Sequence, residues 1–217
     1  MTTMNNLNNL KNQPCYDKDG NFLGWFSRSV ATTLCIFRKK DNELQVLLQK
    51  RGKGCPDNVG KWCNVCGYLE FDRTLEENAV AEAFEEVGIK IDKNNISFFG
   101  VNSNPSENHQ NVSVHFTYFA RGTEDFDLSK AEGGEKDEVE CAEWFTIGKF
   151  KYYNYNLETW TDEKPSNEAY YDRYVDIYEY KLREKDFAFN HDDLILKAVE
   201  DMFNLDRIYY NEKEYRY

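Results

Sequence analysis

The sequence has no long apolar run, and this absence excludes a membrane-spanning helix. No stretch of the 217 residues approaches the roughly 18 consecutive apolar residues that such a helix needs. The first residues, MTTMNNLNNLKNQ, also lack the apolar region of a secretory signal. We therefore expect a cytoplasmic protein with no membrane partner.

Basic residues are also scarce, with 27 Lys and Arg against 39 Asp and Glu and a formal net charge of -12. So negative a chain is poorly suited to extended nucleic acid or to an anionic membrane, although a local basic pocket could still bind one phosphorylated small molecule. A hydrophobic content of 41% is enough for a real core. We expect a loose segment over residues 1–20 and a single domain over residues 21–217, with a homodimer as one possible assembly.

Cysteines occur six times, but only one pair has the CxxC spacing, Cys63 and Cys66. Cys55 could add a third zinc ligand, yet the spacing suggests no fourth. Without a secretory signal, free and mostly buried thiols are expected. The three histidines give weak signals: His115 and His191 are expected to be packed or capping residues, while His109 in a polar loop could touch a substrate.

Apolar and polar residues alternate in several segments, which predicts a sheet of strands and a closing helix over residues 188–203. The tyrosine-rich segment at about 150–181 is predicted to be an insertion containing an amphipathic helix that Ser166 could cap. That helix would pack on the core or on a second subunit, or would cover a base as a lid. The predicted strands are residues 27–37, 44–49, 62–69, 96–101, 111–120 and 141–147. The predicted helix has apolar residues at helical spacing, namely Tyr171, Tyr174, Val175, Tyr178 and Leu182.

A short helix in the middle of the chain, AEAFEEVGI, concentrates the three carboxylates Glu82, Glu85 and Glu86. Asp72 or Thr74 could cap its start, and a glycine could end it. At about 100° per residue the three carboxylates share an arc opposite the apolar side chains. They would repel one another unless a cation lay between them, and clustered oxygen ligands suit Mg²⁺ or Mn²⁺. A solvated acidic face is the alternative. The apolar arc contains Val80, Ala83, Phe84 and Val87.

Residues 67–89, GYLEFDRTLEENAVAEAFEEVGI, resemble the Nudix box, the 23-residue motif of the Nudix hydrolase family. The motif reads Gly, five residues, Glu, seven residues, then Arg-Glu-aliphatic-any-Glu-Glu-any-Gly-aliphatic. Three positions depart from it: Arg73 replaces the first Glu, Ala81 replaces the Arg, and Ala83 is smaller than the usual aliphatic residue. The flanking segments LLQKRGKG and DEVECAEWFTI also resemble the strands and loops around that box. The matching positions are Gly67, Glu82, Glu85, Glu86, Gly88 and Ile89.

This resemblance implies an α/β fold, an α/β/α sandwich around a mixed β-sheet. It also implies a metal-dependent pyrophosphohydrolase that cleaves a nucleoside diphosphate linked to another group, as in ADP-ribose, a nucleotide sugar, a dinucleotide or a nucleoside triphosphate. The alternatives are a degenerate Nudix domain that binds a nucleotide without cleaving it, and an acidic scaffold that needs no metal.

The resemblance also assigns roles to residues. Glu82, Glu85 and Glu86 would ligate Mg²⁺ or Mn²⁺. Glu85, Glu86 or a loop glutamate would finish the catalytic machinery, with Glu138 preferred over Glu135 as general base. In the family, the residues at the positions of Arg73 and Ala81 brace the loop against the helix. Arg51, Lys53 and Gly67 would bind the substrate, although the two basic residues could equally be solvated turn residues.

Overall fold

The computed structural model describes residues 12–104, 112–122, 124–131, 137–155, 158–164 and 173–203. Within these residues the chain forms eleven β-strands and three α-helices. The strands are β1 Gln13–Tyr16, β2 Phe22–Phe26, β3 Val30–Lys40, β4 Glu43–Arg51, β5 Trp62–Cys63, β6 Val65–Tyr68, β7 Ser97–Asn102, β8 Val112–Ala120, β9 Val139–Asn154, β10 Thr159–Thr161 and β11 Arg173–Ile177. The helices are α1 Leu75–Val87, α2 Glu179–Arg183 and α3 His191–Phe203.

Nine of the strands form one mixed sheet in the order β10-β9-β4-β3-β8-β7, with β11 beside β9, β5 beside β4 and β6 beside β3. β3 and β8 are parallel, and β3 pairs antiparallel with both β4 and β6. This arrangement places β3 at the centre of the sheet.

The side chains of β3 supply both layers of the core, because alternate residues of a strand point to opposite faces of the sheet. Cys35 and Phe37 pack in the layer that contains α3, whereas Leu34 and Ile36 pack in the layer that contains α1. A helix therefore covers each face of a mixed sheet, and the predicted α/β/α sandwich is confirmed.

The ends of α1 are fixed by local sequence. The Thr74 hydroxyl accepts a hydrogen bond from the Glu77 N–H at 3.3 Å, and the Glu77 carboxylate accepts one from the Thr74 N–H at 2.9 Å. These two bonds form a capping box. Gly88 ends the helix in the left-handed conformation at φ 71°. Of the two predicted caps, Thr74 is therefore the one in place.

The predicted tyrosine-rich helix is wrong where the structure describes it. Arg173–Ile177 forms β11, paired antiparallel with β9, and a helix begins only at Glu179. Val175 is buried in the core beside Tyr152. A β-branched residue on a half-buried strand is favoured by cross-strand packing, which outweighs the helical spacing. Ser166 and Tyr171 lie outside the described residues.

The N-terminal segment is more ordered than predicted. Gln13–Tyr16 pairs antiparallel with Phe22–Phe26 in a separate two-stranded sheet, although residues 13–16 were expected to be loose. Residues 1–11 lie outside the described part. Among the described residues, no helix is long and apolar enough to cross a membrane.

Candidate functional site

A cleft of about 1780 Å³ is lined by residues of β3, β4, β6, β7 and β8, by one side of α1 and α3, and by the loops that follow Arg51 and contain Glu138. Two of the predicted carboxylates on α1, Glu82 and Glu86, line this cleft together with Glu138. The fold therefore places two glutamates of α1 and one glutamate from a later loop at the same cleft.

Glu86 is buried, with only 9% of the residue exposed. Its Oε2 accepts a hydrogen bond from the Cys66 backbone N–H at 3.0 Å, and its carboxylate also accepts one from the Gln49 side chain. Burial, followed by the proximity of Cys66 and Glu82, raises the pKa of Glu86 well above its usual value. The alternative of a solvated acidic face is therefore wrong at this residue, because the backbone of β6 and the side chain of Gln49 enclose it.

Glu82 lies one helical turn before Glu86 and closer to solvent. Burial, and then repulsion from Glu85, raises its pKa to about 7. A Cβ atom added at Gly67 would lie 2.2 Å from the Glu82 Cδ, so glycine lets β6 approach this carboxylate. The Glu82 Oε1 also accepts a 3.4 Å hydrogen bond from the Asn78 side chain. Glycine is therefore needed at position 67, because the Glu82 carboxylate occupies the space that a side chain would fill.

Glu85 is not among the described residues that line the cleft. Its Oε1 accepts a hydrogen bond from the Arg73 Nη2 at 2.8 Å, and the two side chains are 25% and 30% exposed, respectively. Residues 82 and 86 are about 40° apart around a helix, and residue 85 lies about 60° to the other side of residue 82. The structure therefore brings together two of the three predicted carboxylates of α1.

The loop that carries Glu138 is tied to the basic loop after β4. The Glu138 carbonyl accepts a hydrogen bond from the Gly52 N–H at 2.6 Å and one from the Cys55 Sγ at 3.2 Å. Glu138 also contributes to the raised pKa of Glu82. Its carboxylate therefore belongs to the same electrostatic cluster as the helix glutamates. Glu135 lies outside the described residues.

Of the two predicted basic residues, the structure brings only Arg51 to the cleft; Lys53 is exposed and is not among the described lining residues. The Arg51 Nη2 donates a hydrogen bond to the Asp57 Oδ1 at 2.9 Å, and its guanidinium lies 4.9 Å from the centre of the Phe189 ring. These contacts hold the guanidinium in a fixed orientation, in which it could bind an anion.

The donor set at the cleft fits a hard divalent cation. Glu82, Glu86 and Glu138 offer carboxylate oxygens, which Mg²⁺ and Mn²⁺ prefer. The raised pKa values of Glu82 and Glu86 come first from burial and then from negative neighbours, and a bound cation would favour the ionised form of both. In the described part of the chain, no three or more His, Cys, Asp or Glu side chains stand close enough to form a preassembled metal centre. The carboxylates would have to converge further around an ion.

Gln49 is a site residue that sequence reasoning missed. Its side chain is buried and lines the cleft, and its Oε1 has no hydrogen-bond partner among the described residues. The available signal was the second of two amides in the strand segment LQVLLQ, because a buried polar group needs a hydrogen-bond partner. In the structure that partner is Glu86, whose carboxylate accepts a hydrogen bond from the Gln49 side chain.

All six cysteines are free, as predicted, although Cys15 is exposed and only Cys35 and Cys63 are fully buried. Both described histidines are packed, as predicted. The His191 Nδ1 accepts a hydrogen bond from the Asn64 N–H at 3.1 Å, and burial lowers the pKa of His115 to about 4. Both histidines also line the cleft, whereas His109 lies outside the described residues.

The NUDIX domain family model matches residues 27–191 of the chain. Among solved structures, a MutT/nudix family protein from Enterococcus faecalis has 18% identity and a TM-score of 0.59, over 86% of this chain and 66% of that one. The NUDIX domain of Shewanella oneidensis NrtR, solved with ADP ribose, has 16% identity and a TM-score of 0.55, over 82% of this chain and 90% of that one. These likenesses concern the fold. No curated protein matches the chain.

Proposed function

This chain belongs to the Nudix family, and on that premise we propose that it is a metal-dependent pyrophosphohydrolase acting on a nucleoside diphosphate linked to another group. The observation that carries the proposal is the convergence of Glu82, Glu86 and Glu138 on one cleft that also contains Arg51. The substrate class includes ADP-ribose, nucleotide sugars, dinucleotides and nucleoside triphosphates. The ADP ribose bound to the Shewanella oneidensis domain supports a nucleotide ligand.

The residues of the cleft divide the work of the proposed reaction. Glu82 and Glu86 would hold Mg²⁺ or Mn²⁺, which when bound neutralises a diphosphate and acidifies a coordinated water. The Cys66 N–H and the Gln49 amide keep the Glu86 carboxylate in one orientation. Glu138 would accept the proton of the attacking water as general base, and Arg51 would bind a phosphate oxygen.

A substrate screen tests this proposal. The purified protein would be incubated with each candidate nucleotide and Mg²⁺ or Mn²⁺, and released phosphate-bearing products would be measured. In Glu86→Gln we expect turnover to fall by about 100-fold or more, because a ligand charge is lost and outer-shell losses alone cost about 10–100-fold. Glu143→Gln, an exposed carboxylate of β9, is the matched control. Wild-type rates in Glu86→Gln would contradict the ligand assignment.

A second candidate function is nucleotide binding without cleavage. The specific observation in its favour is that Arg73 occupies a position of the box where the family has a glutamate, and that it pairs with Glu85. This candidate predicts calorimetric binding of a nucleotide with no product under any metal condition. We further propose that residues 21–217 act as one domain in the cytoplasm and, given the charge of -12, without extended nucleic acid.

A further inference from the structure

The ion pair between Arg73 and Glu85 joins the loop before α1 to the last turn of that helix. The Arg73 Nη2 donates to the Glu85 Oε1 at 2.8 Å, and the contact with Glu85 raises the pKa of the guanidinium. The Arg73 Nη1 is buried and has no hydrogen-bond partner among the described residues. The direct bond to Glu85 therefore fixes one end of the guanidinium, while Glu82 and Asp72 act on it from a greater distance.

The pair also separates Glu85 from its two neighbours. Glu82 and Glu86 line the cleft, whereas Glu85 is not among its described lining residues and is engaged by Arg73. A carboxylate that already accepts a hydrogen bond from a guanidinium has less to gain from a metal ion than one that has no such direct bond.

Position 85 lies one helical turn beyond position 81, so the two share a helix face. In this chain position 81 is Ala, which cannot form an ion pair, and position 73 is Arg. In the family motif the loop position is Glu and the helix position 81 is Arg. Here the loop residue is Arg73, and its acidic partner on the helix is Glu85, one turn after position 81.

We infer that Arg73 and Glu85 form a relocated brace between the loop and α1, and that Glu85 serves this brace and is not a metal ligand. The cation site then depends on Glu82 and Glu86 on the helix. The metal part of this inference rests on the proposed function, whereas the brace does not.

A double-mutant cycle tests the brace in metal-free protein. Arg73→Glu and Glu85→Arg each place like charges face to face, so each lowers the urea midpoint of unfolding. The charge-swapped double variant restores an ion pair and recovers most of that loss, because groups in direct contact do not behave additively. Strictly additive shifts would overturn the brace.

Mn²⁺ titration by calorimetry, without substrate, tests the ligand assignment. The swapped pair keeps the same net charge, so Mn²⁺ affinity stays within about threefold of wild type. Glu86→Gln, the matched loss of a cleft carboxylate, weakens Mn²⁺ binding by about tenfold or more. A swapped variant with a normal urea midpoint but a tenfold or greater loss of Mn²⁺ affinity would show that Glu85 is a ligand.

Two further outcomes are also decisive. If the swapped variant does not fold, the neutral pair Arg73→Gln with Glu85→Gln replaces it, and retained Mn²⁺ affinity supports the inference while lost affinity overturns it. If wild type binds no Mn²⁺, the proposed function fails, and the urea cycle alone decides the brace through its coupling.

Discussion

At the scale of single residues, Glu82 and Glu86 lie in surroundings that disfavour the ionised form of their carboxyl groups. Burial is the largest cause of the raised pKa of each, and negative neighbours add to it. The protein therefore holds two carboxylates that are costly to ionise together. This cost is small at low pH and grows as the solution becomes neutral, unless a cation binds.

This arrangement predicts an unusual pH dependence of stability for metal-free protein. The pKa of Glu82 is about 7 in the folded chain and 4.5 in the reference state. The folded state keeps a proton that the unfolded state releases, so the Glu82 contribution to stability falls as pH rises across that window. Glu82→Gln removes this loss, and its gain in stability over wild type should be larger at about pH 8 than at about pH 4.

Urea unfolding in the presence of a chelator at both pH values measures this difference. Glu143→Gln is the control, because its carboxylate is exposed on β9 and outside the lining of the cleft. Equal differences between Glu82→Gln and wild type at the two pH values would contradict the assigned environment of Glu82.

Gly67 gives a steric prediction at the same scale. A methyl group at this position would lie 2.2 Å from the Glu82 carboxylate carbon, so either β6 or the carboxylate must move. We expect Gly67→Ala to lower turnover by about tenfold or more, because the displaced atoms are the end of the flexible Glu82 side chain and can move at little cost in unfolding free energy. Gly100→Ala is the control, because its nearest atom, the His115 Nδ1, is 3.9 Å away. Equal turnover of both variants would contradict this account.

At the scale of elements, α1 shows why part of the site could be predicted from sequence. Its cap, its glycine stop and the cleft positions of Glu82 and Glu86 depend on local spacing, which a sequence displays. The burial of Glu86 depends on the Cys66 backbone and on Gln49, which come from other strands. The pairing of Glu85 likewise depends on a loop conformation that helical periodicity does not contain.

β11 shows the opposite case. Its residues have helical spacing, but the neighbouring β9 is 16 residues long and offers an open edge along Gly148 to Tyr152. Pairing with that edge buries Val175 and satisfies the backbone hydrogen bonds of the strand. The helical spacing of these residues carries no information about this pairing, because the partner strand lies elsewhere in the sequence.

The capping box of α1 can be tested by Thr74→Ala, which removes the hydroxyl that accepts from the Glu77 N–H. We expect a loss of about 1 kcal/mol in unfolding free energy, typical of a lost N-cap. Thr74→Ser keeps the hydroxyl and should lose much less. Chemical denaturation of the three proteins measures the loss, and a serine variant as unstable as the alanine variant would argue against a capping role.

At the scale of the whole molecule, the described parts of the tyrosine-rich segment contribute to the core. Phe150, Tyr152 and Val175 pack in the same layer as Phe37 of β3 and Ile195 of α3. Residues predicted to be an insertion thus close one side of the sandwich. Removing the segment would open the layer beneath α3.

Tyr152→Ala tests this position in the core. The residue is 2% exposed, and truncating a large buried aromatic side chain costs about 3–5 kcal/mol of unfolding free energy. Tyr155→Ala is the control because Tyr155 is 40% exposed, and a change near zero to 1 kcal/mol is expected there. Equal shifts in thermal unfolding for the two variants would mean that the segment does not support the core.

The parallel pairing of β3 with β8 has a consequence for the order of folding. Val30 pairs with Val112 and Arg38 with Ala120, so every contact of this ladder closes a loop of roughly 80 residues. During synthesis α1 emerges before β8. The edge of β3 that pairs with β8 therefore stays unpaired until β8 has been synthesised. Closing this long loop is expected to limit the folding rate, as in other topologies with many nonlocal contacts. A ribosome-bound chain that stops before residue 112 would therefore present the edge of β3 as an open template for chaperones or for other chains.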